Sequence, residues 1–203
     1  MDKLAPAPPK GRPREFCVDE ALAAALRVFW SRGYEGASMA ELTAAMGITK
    51  PSLYAAFGNK EALFRKALDL YEREKLAYMG SALEAPTARG VAERLLRGAL
   101  DMQTGRTDPK GCLSVISSVA CSPEAECIKA DVLTRRASSE AALRARFERA
   151  AAEGELPDGL DAAALTRYLL AIMQGLSVQA GAGATPDQLK QLVDTSLAIW
   201  PTR

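Results

Sequence analysis

The sequence contains no histidine among its 203 residues, and this absence limits the chemistry that the chain can perform. Histidine is the side chain that enzymes use most often as a general acid or base, and it is a common metal ligand. Neither a glycine-rich phosphate loop nor a nucleophile elbow occurs in the sequence. We therefore expect that the protein is not an enzyme, and we predict no catalytic residue, no cofactor and no metal site.

Long apolar runs and a secretory signal are also missing. A helix that spans a bilayer needs about 20 apolar residues, and no run in the sequence approaches that length. The first residues, MDKLAPAPPKGRPREF, do not contain the apolar stretch of a signal peptide. We therefore expect a cytoplasmic protein without a membrane partner, in which the four cysteines are reduced.

An excess of charge of either sign is absent as well. The chain has 26 Lys and Arg against 25 Asp and Glu, and residues 1–60 hold eight cations against six anions. A net charge of +1 does not by itself predict a nucleic-acid partner, so that argument depends on where single cations lie. An apolar share of 48%, rich in Ala and Leu and poor in β-branched runs, predicts an all-α protein with a packed core.

The segment Ser38–Phe57 has the pattern of two short helices joined by a tight turn. Ser38 and Glu41 form the S-x-x-E pattern of a capping box, which marks the start of the first helix. Gly47 ends that helix, because glycine accepts the left-handed backbone of a C-terminal cap. The pattern predicts a helix-turn-helix motif.

The second helix of this motif is predicted to run from Lys50 to Phe57. Thr49 can cap it, and Pro51 is tolerated in its first turn, where no backbone donor is needed. Its apolar residues point inward and leave a cation, a hydroxyl and a phenol on the free face, a combination that suits a DNA groove. These free residues are Lys50, Ser52 and Tyr54.

Cations stand on both sides of the motif. Arg12 and Arg14, splayed by a proline ahead of the motif, fit a narrow minor groove. The alternative for residues 1–14 is a flexible, solvated leader, which their proline content also favours. Lys60 follows Asn59, a typical helix cap, and a DNA phosphate would offset the cost of a cation at a helix start. The alternative for Lys60 is a solvated side chain.

The rest of the chain is predicted to be helical. A helix from about Asp19 to Arg32 precedes the motif, and others are expected near residues 60–79, 91–104, 112–120, 123–153, 161–180 and 186–200. The last two carry apolar stripes that either complete the core or contact a partner. Because a two-fold DNA reader needs a second copy, we predict a dimer interface made of Leu165, Leu169, Ile172, Leu189, Leu192, Val193, Leu197 and Trp200.

Several motifs at fixed spacing resemble the TetR/AcrR family of bacterial transcriptional regulators. They are A-L-x-x-F at Ala25–Phe29, R-G-Y-E-G at Arg32–Gly36, S-M-x-x-L at Ser38–Leu42 and M-G-I-x-x-x-S-L-Y-x-x-F-x-x-K-E-x-L at Met46–Leu63. The resemblance extends over Gly11–Ala67, and the remainder is similar to the family only in size and helical character.

The resemblance implies an all-helical homodimer of about nine helices. It implies a basic arm at residues 1–14, a helix-turn-helix DNA-binding domain at 15–60 and a ligand-sensing and dimerisation domain at 61–203. It also implies a repressor that binds a pseudo-palindromic operator in double-stranded DNA and is released by a small-molecule effector. Thr49, Lys50, Pro51, Ser52 and Tyr54 match recognition-helix positions of the family, and the positions that match phosphate contacts are Ser38 and Lys60.

No motif in the sequence assigns the effector. We place its pocket among the helices between about Val91 and Leu176, and the alternative for each candidate lining residue is that it belongs to the plain core. The candidates are Met102, Cys112, Ile116, Phe147 and Met173.

Two further alternatives remain open in the sequence. Cys112, Cys121 and Cys127 fit buried small apolar side chains, a thiol sensor of oxidants or electrophiles, or a soft-metal site such as one for Cu(I). A helical protein-interaction module that does not bind DNA is the alternative of another class. The weak net charge allows that module, but it leaves the arginine arm and Lys50 unexplained.

Overall fold

The structure, a computed structural model, describes residues 16–119 and 122–201. Within these ranges it contains ten α-helices, a single 3₁₀ turn at Pro123–Ala125 and no strand, which confirms the predicted all-α class. None of these helices combines the length and the apolarity that crossing a bilayer requires. The helices are α1 Val18–Gly36, α2 Met39–Met46, α3 Lys50–Phe57, α4 Lys60–Lys75, α5 Ala77–Ala82, α6 Ala88–Thr104, α7 Leu113–Val119, α8 Glu126–Ala152, α9 Ala162–Gly181 and α10 Pro186–Ala198.

Helix α1 is interrupted at Gly33, which has a φ of 71° and a ψ of 177°. The regular part of the helix therefore ends at Arg32, where the sequence predicts its end. A Cβ at Gly33 would lie 3.2 Å from Cγ2 of Ile116 in α7. Glycine is needed here for two reasons, the left-handed backbone and the close approach of α7.

Helix α5 is absent from the sequence prediction, which gives one continuous helix from Lys60 to about Met79. The structure divides that segment at Leu76, whose φ of −104° and ψ of 5° are not helical. Leucine is a good helix former, so nothing at this position signals the break. The break lets α5 pack against α6, where the ring of Tyr78 lies over Gly98, so close that an added Cβ would be 2.3 Å from it.

The core consists of two hydrophobic clusters. The first, the head cluster, is formed by α1–α4 together with Leu113 of α7 and with Ile128 and Val132 of α8. Edge-to-face aromatic contacts join α1 to α4, with ring centres 5.1 Å apart for Phe29 and Phe64. The head cluster therefore extends beyond residue 60, where the sequence places a domain boundary, because α4 packs against α1.

The second cluster, the C-terminal cluster, is formed mainly by α6, α8, α9 and α10. Six of the eight residues predicted for the dimer interface belong to it, each at most 6% exposed within the single subunit: Leu165, Leu169, Leu189, Val193, Leu197 and Trp200. A side chain buried in its own subunit has little surface left for a partner, so these six stabilise the subunit core. Ile172 and Leu192 are partly buried against the same cluster.

Gly111, just before α7, connects the two clusters. Its carbonyl accepts hydrogen bonds of 3.0 Å from Nε1 of Trp30 in α1 and of 3.0 Å from Nε2 of Gln103 in α6. Its N–H donates to Oε1 of Gln103 at 2.8 Å. These groups are buried, so losing one bond would leave a polar atom without a partner. The loop 105–112 therefore ties α1 to α6.

The packing at Gly33 can be tested by substitution. We expect Gly33→Ala to lower the free energy of unfolding by roughly 1–2 kcal/mol, because alanine is strained at this φ and its methyl group would press on Ile116. Gly36→Ala is the matched control, since its added Cβ would have only Cβ of Arg32 nearby, at 3.4 Å. Thermal melts measure both variants, and an equal effect of the two substitutions would contradict the role of the left-handed backbone.

Candidate DNA-binding surface and effector cavity

Capping side chains hold α2 and α3 in place. The hydroxyl of Ser38 accepts a hydrogen bond from the N–H of Glu41 at 3.1 Å, and the carboxylate of Glu41 accepts one from the N–H of Ser38 at 3.1 Å. Gly47 ends α2 with a φ of 65°, and the hydroxyl of Thr49 accepts a hydrogen bond from the N–H of Ser52 at the start of α3. The predicted capping residues therefore all form their caps, and they fix α3 relative to α2.

Helix α3 has one buried face and one free face. Leu53 and Phe57 pack into the head cluster, with 0% and 3% of their surface exposed. On the free face Nζ of Lys50 lies 5.9 Å from the ring centre of Tyr54, so a cation and a phenol stand side by side. That face carries the five residues predicted to enter a groove, all exposed except the half-buried serine: Thr49, Lys50, Pro51, Ser52 and Tyr54.

Lys60 is the first residue of α4, and its Nζ lies 4.6 Å from the ring centre of Tyr34. Partial burial lowers the pKa of Lys60, and the nearby Glu35 opposes this shift. Asn59 caps the helix by accepting a hydrogen bond of 2.7 Å from the N–H of Ala62. An anion near this helix start would stabilise both the charged lysine and the helix dipole.

The hydroxyl of Ser38 is engaged within the subunit. It donates to the carboxylate of Glu41 at 2.9 Å, and the hydrogen bond from the N–H of Ser38 is the main cause of a lowered pKa of Glu41. A phosphate at Ser38 would compete with this carboxylate for the hydroxyl proton. Arg12 and Arg14, predicted to form a DNA-contacting arm, lie outside the described residues.

A cavity of about 440 Å³ lies among α4, α5, α6, α7, α8 and α9. Met102, Cys112 and Met173, three of the five residues predicted for the effector pocket, line it. The other two do not line it. Ile116 packs on Gly33 of α1, and Phe147 is 0% exposed in the C-terminal cluster, with its ring centre 5.8 Å from that of Trp200.

The cavity also contains charged side chains that the sequence pattern did not indicate. Glu72 enters from α4, and Arg135, Arg136 and Glu140 enter from α8. The adjacent arginines in the middle of α8 were the available signal. A charged run on a helix is usually a solvated face, so that signal alone does not distinguish a cavity from the surface.

Arg135 joins α8 to α4 through an ion-pair network. Its Nη1 lies 2.7 Å from Oδ1 of Asp69 and 2.8 Å from Oε2 of Glu72, and its Nε lies 3.3 Å from Oδ1 of Asp131. Burial acts to lower the pKa of Arg135, but the hydrogen bonds to Asp69 and Glu72 outweigh it and the pKa is raised. The network attaches one wall of the cavity to the head cluster.

Cys112 is the one cysteine that lines the cavity within the described chain. The hydroxyl of Tyr71 donates to its Sγ at 3.4 Å, and burial, followed by the neighbouring Cys112 thiol, raises the pKa of Tyr71 well above its ordinary value. Cys127 is exposed and donates to the carboxylate of Glu61, while Cys121 lies outside the described residues. Residues 16–119 and 122–201 hold no cluster of three His, Cys, Asp or Glu side chains suited to a metal ion.

Known protein families match an N-terminal and a C-terminal segment of the chain. Residues 21–67 match the bacterial regulatory proteins of the tetR family, and residues 114–199 match the C-terminal domain of BetI-type transcriptional repressors. The chain belongs to the TetR family. It is therefore a DNA-binding regulator of transcription, and the family indicated by the sequence motifs is confirmed.

TetR-family relatives are similar to the chain over nearly its whole length. It is 34% identical to the HTH-type transcriptional repressor ComR of Escherichia coli, over 95% of this chain and 92% of ComR. It is 31% identical to the uncharacterized HTH-type transcriptional regulator YezE of Bacillus subtilis, over 93% of this chain and 98% of YezE. A solved structure of the TetR family regulator CifR is 41% identical with a TM-score of 0.86, over 94% of this chain and 100% of that one. That structure is a cysteine mutant complexed with 26bp double-strand operator DNA.

The ion pairs of Arg135 predict a difference between two arginines of α8. We expect Arg135→Gln to lower the free energy of unfolding by about 1–2 kcal/mol, because three carboxylates lose a common partner that is only 27% exposed. Arg144→Gln is the matched control. Its ion pair with Glu148 is exposed on both sides, so we expect a loss below about 0.5 kcal/mol. If denaturant titrations gave equally small losses for both variants, the network would not hold α4 to α8.

Proposed function

We propose that the protein is a homodimeric repressor that reads a pseudo-palindromic operator with two copies of α3 and leaves the operator when a small molecule fills the cavity. The observation that carries the DNA-reading role is the free face of α3, where Lys50, Ser52 and Tyr54 stand on a helix whose opposite face is buried. The complex of CifR with operator DNA supports it. In such a dimer the two helix-turn-helix regions contact half-sites about one helical turn apart.

The residues of α3 make different contacts with the DNA. Lys50 reaches a guanine edge or a phosphate, and Ser52 hydrogen-bonds to either. Tyr54 packs on a sugar and donates to a phosphate. Thr49 and Pro51 begin the helix and bring its first turn into the major groove. Contacts with base edges select the sequence, and contacts with phosphates fix the position of the head.

Four further residues widen the contact with DNA. Lys60 binds a phosphate at the start of α4, and Ser38 binds one in competition with Glu41. Arg12 and Arg14 enter the minor groove ahead of α1. Phosphate contacts add affinity that falls with salt and carries no sequence information. Because the operator lies on the chromosome, we place the protein in the cytoplasm.

The dimer interface is proposed on the outer side of α9 and α10. Tyr168, Val178 and Ile199 are large apolar side chains there with 37%, 59% and 65% of their surface exposed. Ile172 and Leu192 lie at the border between this side and the core. Exposed apolar patches are typical of subunit interfaces. The buried apolar side chains of α9 and α10 hold these two helices in place. They thereby fix the position of the proposed interface and the distance between the two α3 helices of the dimer.

Release requires that effector and DNA prefer different conformations, and each then lowers the affinity for the other by the same factor. The cavity is suited to this coupling because α4 belongs to the head cluster and also lines the cavity with Glu72. The loop 105–112 reaches the cavity at Cys112 and is bonded to α1 at Gly111. A ligand that moves α4 or this loop therefore also moves the helix-turn-helix region.

Selection from random-sequence DNA tests the proposal, and we expect enrichment of a pseudo-palindrome. In gel-shift titrations at fixed salt, Lys50→Ala should weaken binding to that sequence roughly 5- to 100-fold and Tyr54→Phe roughly 2- to 10-fold. Lys190→Ala on α10 is the control for loss of one cation, since it is exposed and paired with Asp194, and it should have no effect. Absence of enrichment would favour a helical interaction module that does not bind DNA.

The dimer surface is tested by Val178→Asp. A charge in the centre of an apolar interface has no partner, so we expect the variant to dissociate to monomers at concentrations at which the parent chain is dimeric. Leu133→Asp on α8, at a side chain that is 44% exposed, is the control and should remain dimeric. Sedimentation velocity measures both masses. A dimeric Val178→Asp variant would move the interface to another face.

A further inference from the structure

Arg136 differs from the other cations of α8. Its Nη1 donates to the hydroxyl of Ser118 in α7 at 2.7 Å, and no carboxylate of the described residues is within ion-pair distance of it. A half-buried guanidinium that has lost part of its water without gaining an anion is unfavourable. Every other cation of α8 takes part in an ion pair: Lys129, Arg135, Arg144, Arg146 and Arg149.

Arg136 lines a cavity whose other lining is largely apolar. Met79, Leu170 and Met173 line the same cavity, whose volume of about 440 Å³ is in the usual range for small-molecule pockets. Its two carboxylates do not neutralise this arginine. Glu72 is held by Arg135 at 2.8 Å, and Glu140 is exposed and makes no ion pair with Arg136.

Arg135 provides an internal contrast on the same wall of the cavity. Three carboxylates surround it, from Asp69, Glu72 and Asp131, so it presents no net positive charge to a ligand. Arg136 has only the neutral hydroxyl of Ser118, which in turn donates to the carbonyl of Val115 at 2.9 Å. The Ser118 hydroxyl therefore binds the guanidinium without neutralising its charge.

We propose that the effector is a small molecule with an apolar body and a single carboxylate, and that Arg136 binds the carboxylate. This proposal rests on the role of the cavity as the effector site. A guanidinium matches a carboxylate with two parallel charge-assisted hydrogen bonds. The flexible side chains of Met79, Met102 and Met173 adapt to apolar bodies of different shapes. An uncharged ligand of the same shape leaves the guanidinium without a partner.

Calorimetric titration of the full chain with matched probes tests this assignment. The probes are straight-chain carboxylates from butanoate to dodecanoate, each with the primary amide and the primary amine of the same chain length, all below their micelle-forming concentrations. We expect at least one carboxylate to bind about tenfold or more tightly than its amide, since hydrogen bonds between charged groups exceed neutral ones. We expect the amines to bind more weakly than the amides.

Variants assign the preference to one side chain. Arg136→Gln should bring the affinity for the carboxylate down to that for the amide and leave the amide affinity unchanged. Arg136→Lys should retain part of the preference, because the charge remains and the paired hydrogen bonds are lost. Arg144→Gln, which removes an exposed cation from the same helix outside the cavity, should titrate like the parent chain.

Several results would overturn the proposal. They are equal affinities for carboxylates and amides, tighter binding of the amines, no binding by any carboxylate of the series, and a carboxylate preference that survives Arg136→Gln. The titrations contain no DNA, so they remain interpretable if the chain fails to select an operator. Carboxylate binding that leaves the affinity for a selected operator unchanged would refute the release mechanism and leave the binding site of Arg136 in place.

Discussion

The buried carbonyl of Gly111 connects the head cluster to the part of the molecule that encloses the cavity. It accepts hydrogen bonds from Trp30 of α1 and Gln103 of α6. Trp30 packs edge-to-face on Tyr71 of α4 with ring centres 4.8 Å apart, and the hydroxyl of Tyr71 donates to Cys112, the residue that follows Gly111. The contacts form a closed circuit through α1, α4 and the loop, so none of these can shift alone without breaking a buried bond.

The near balance of charge has a consequence for how such a protein finds its site. Counterion release depends on how many cations contact phosphates, and a net charge of +1 adds little long-range attraction to DNA. In the proposed complex, binding depends on a few cations held in fixed places, such as Lys50 beside Tyr54 and Lys60 beside Tyr34.

In the helix-turn-helix region the features that determine the helix ends are local, and the sequence predicts them. Ser38, Thr49 and Asn59 cap helices within three residues of themselves, so their roles are readable without tertiary structure. The break at Leu76 was not readable, because packing of Tyr78 on Gly98 rather than a local residue accompanies it. Local sequence signals do not predict a conformation that is determined by contacts between distant residues.

The candidate sites in the C-terminal part were harder to predict for the same reason. An apolar stripe has one pattern whether it packs on its own subunit or on a partner, so Leu169 and Trp200 could not be assigned from their spacing. Arg135 and Arg136 are identical neighbours in sequence, and only their partners on α4 and α7 distinguish a network member from a free charge. Phe147 was a candidate for the pocket lining, with the plain core as its alternative, and its side chain packs in the core.

The burial of Leu165, Val193 and Trp200 inside one subunit bears on the order of events during assembly. Both hydrophobic clusters are made of residues of one chain, so neither core needs side chains from a second copy. Association of already folded chains is a second-order step whose extent follows protein concentration. The fraction of chains that form the DNA-binding dimer would then depend on the concentration of folded monomers.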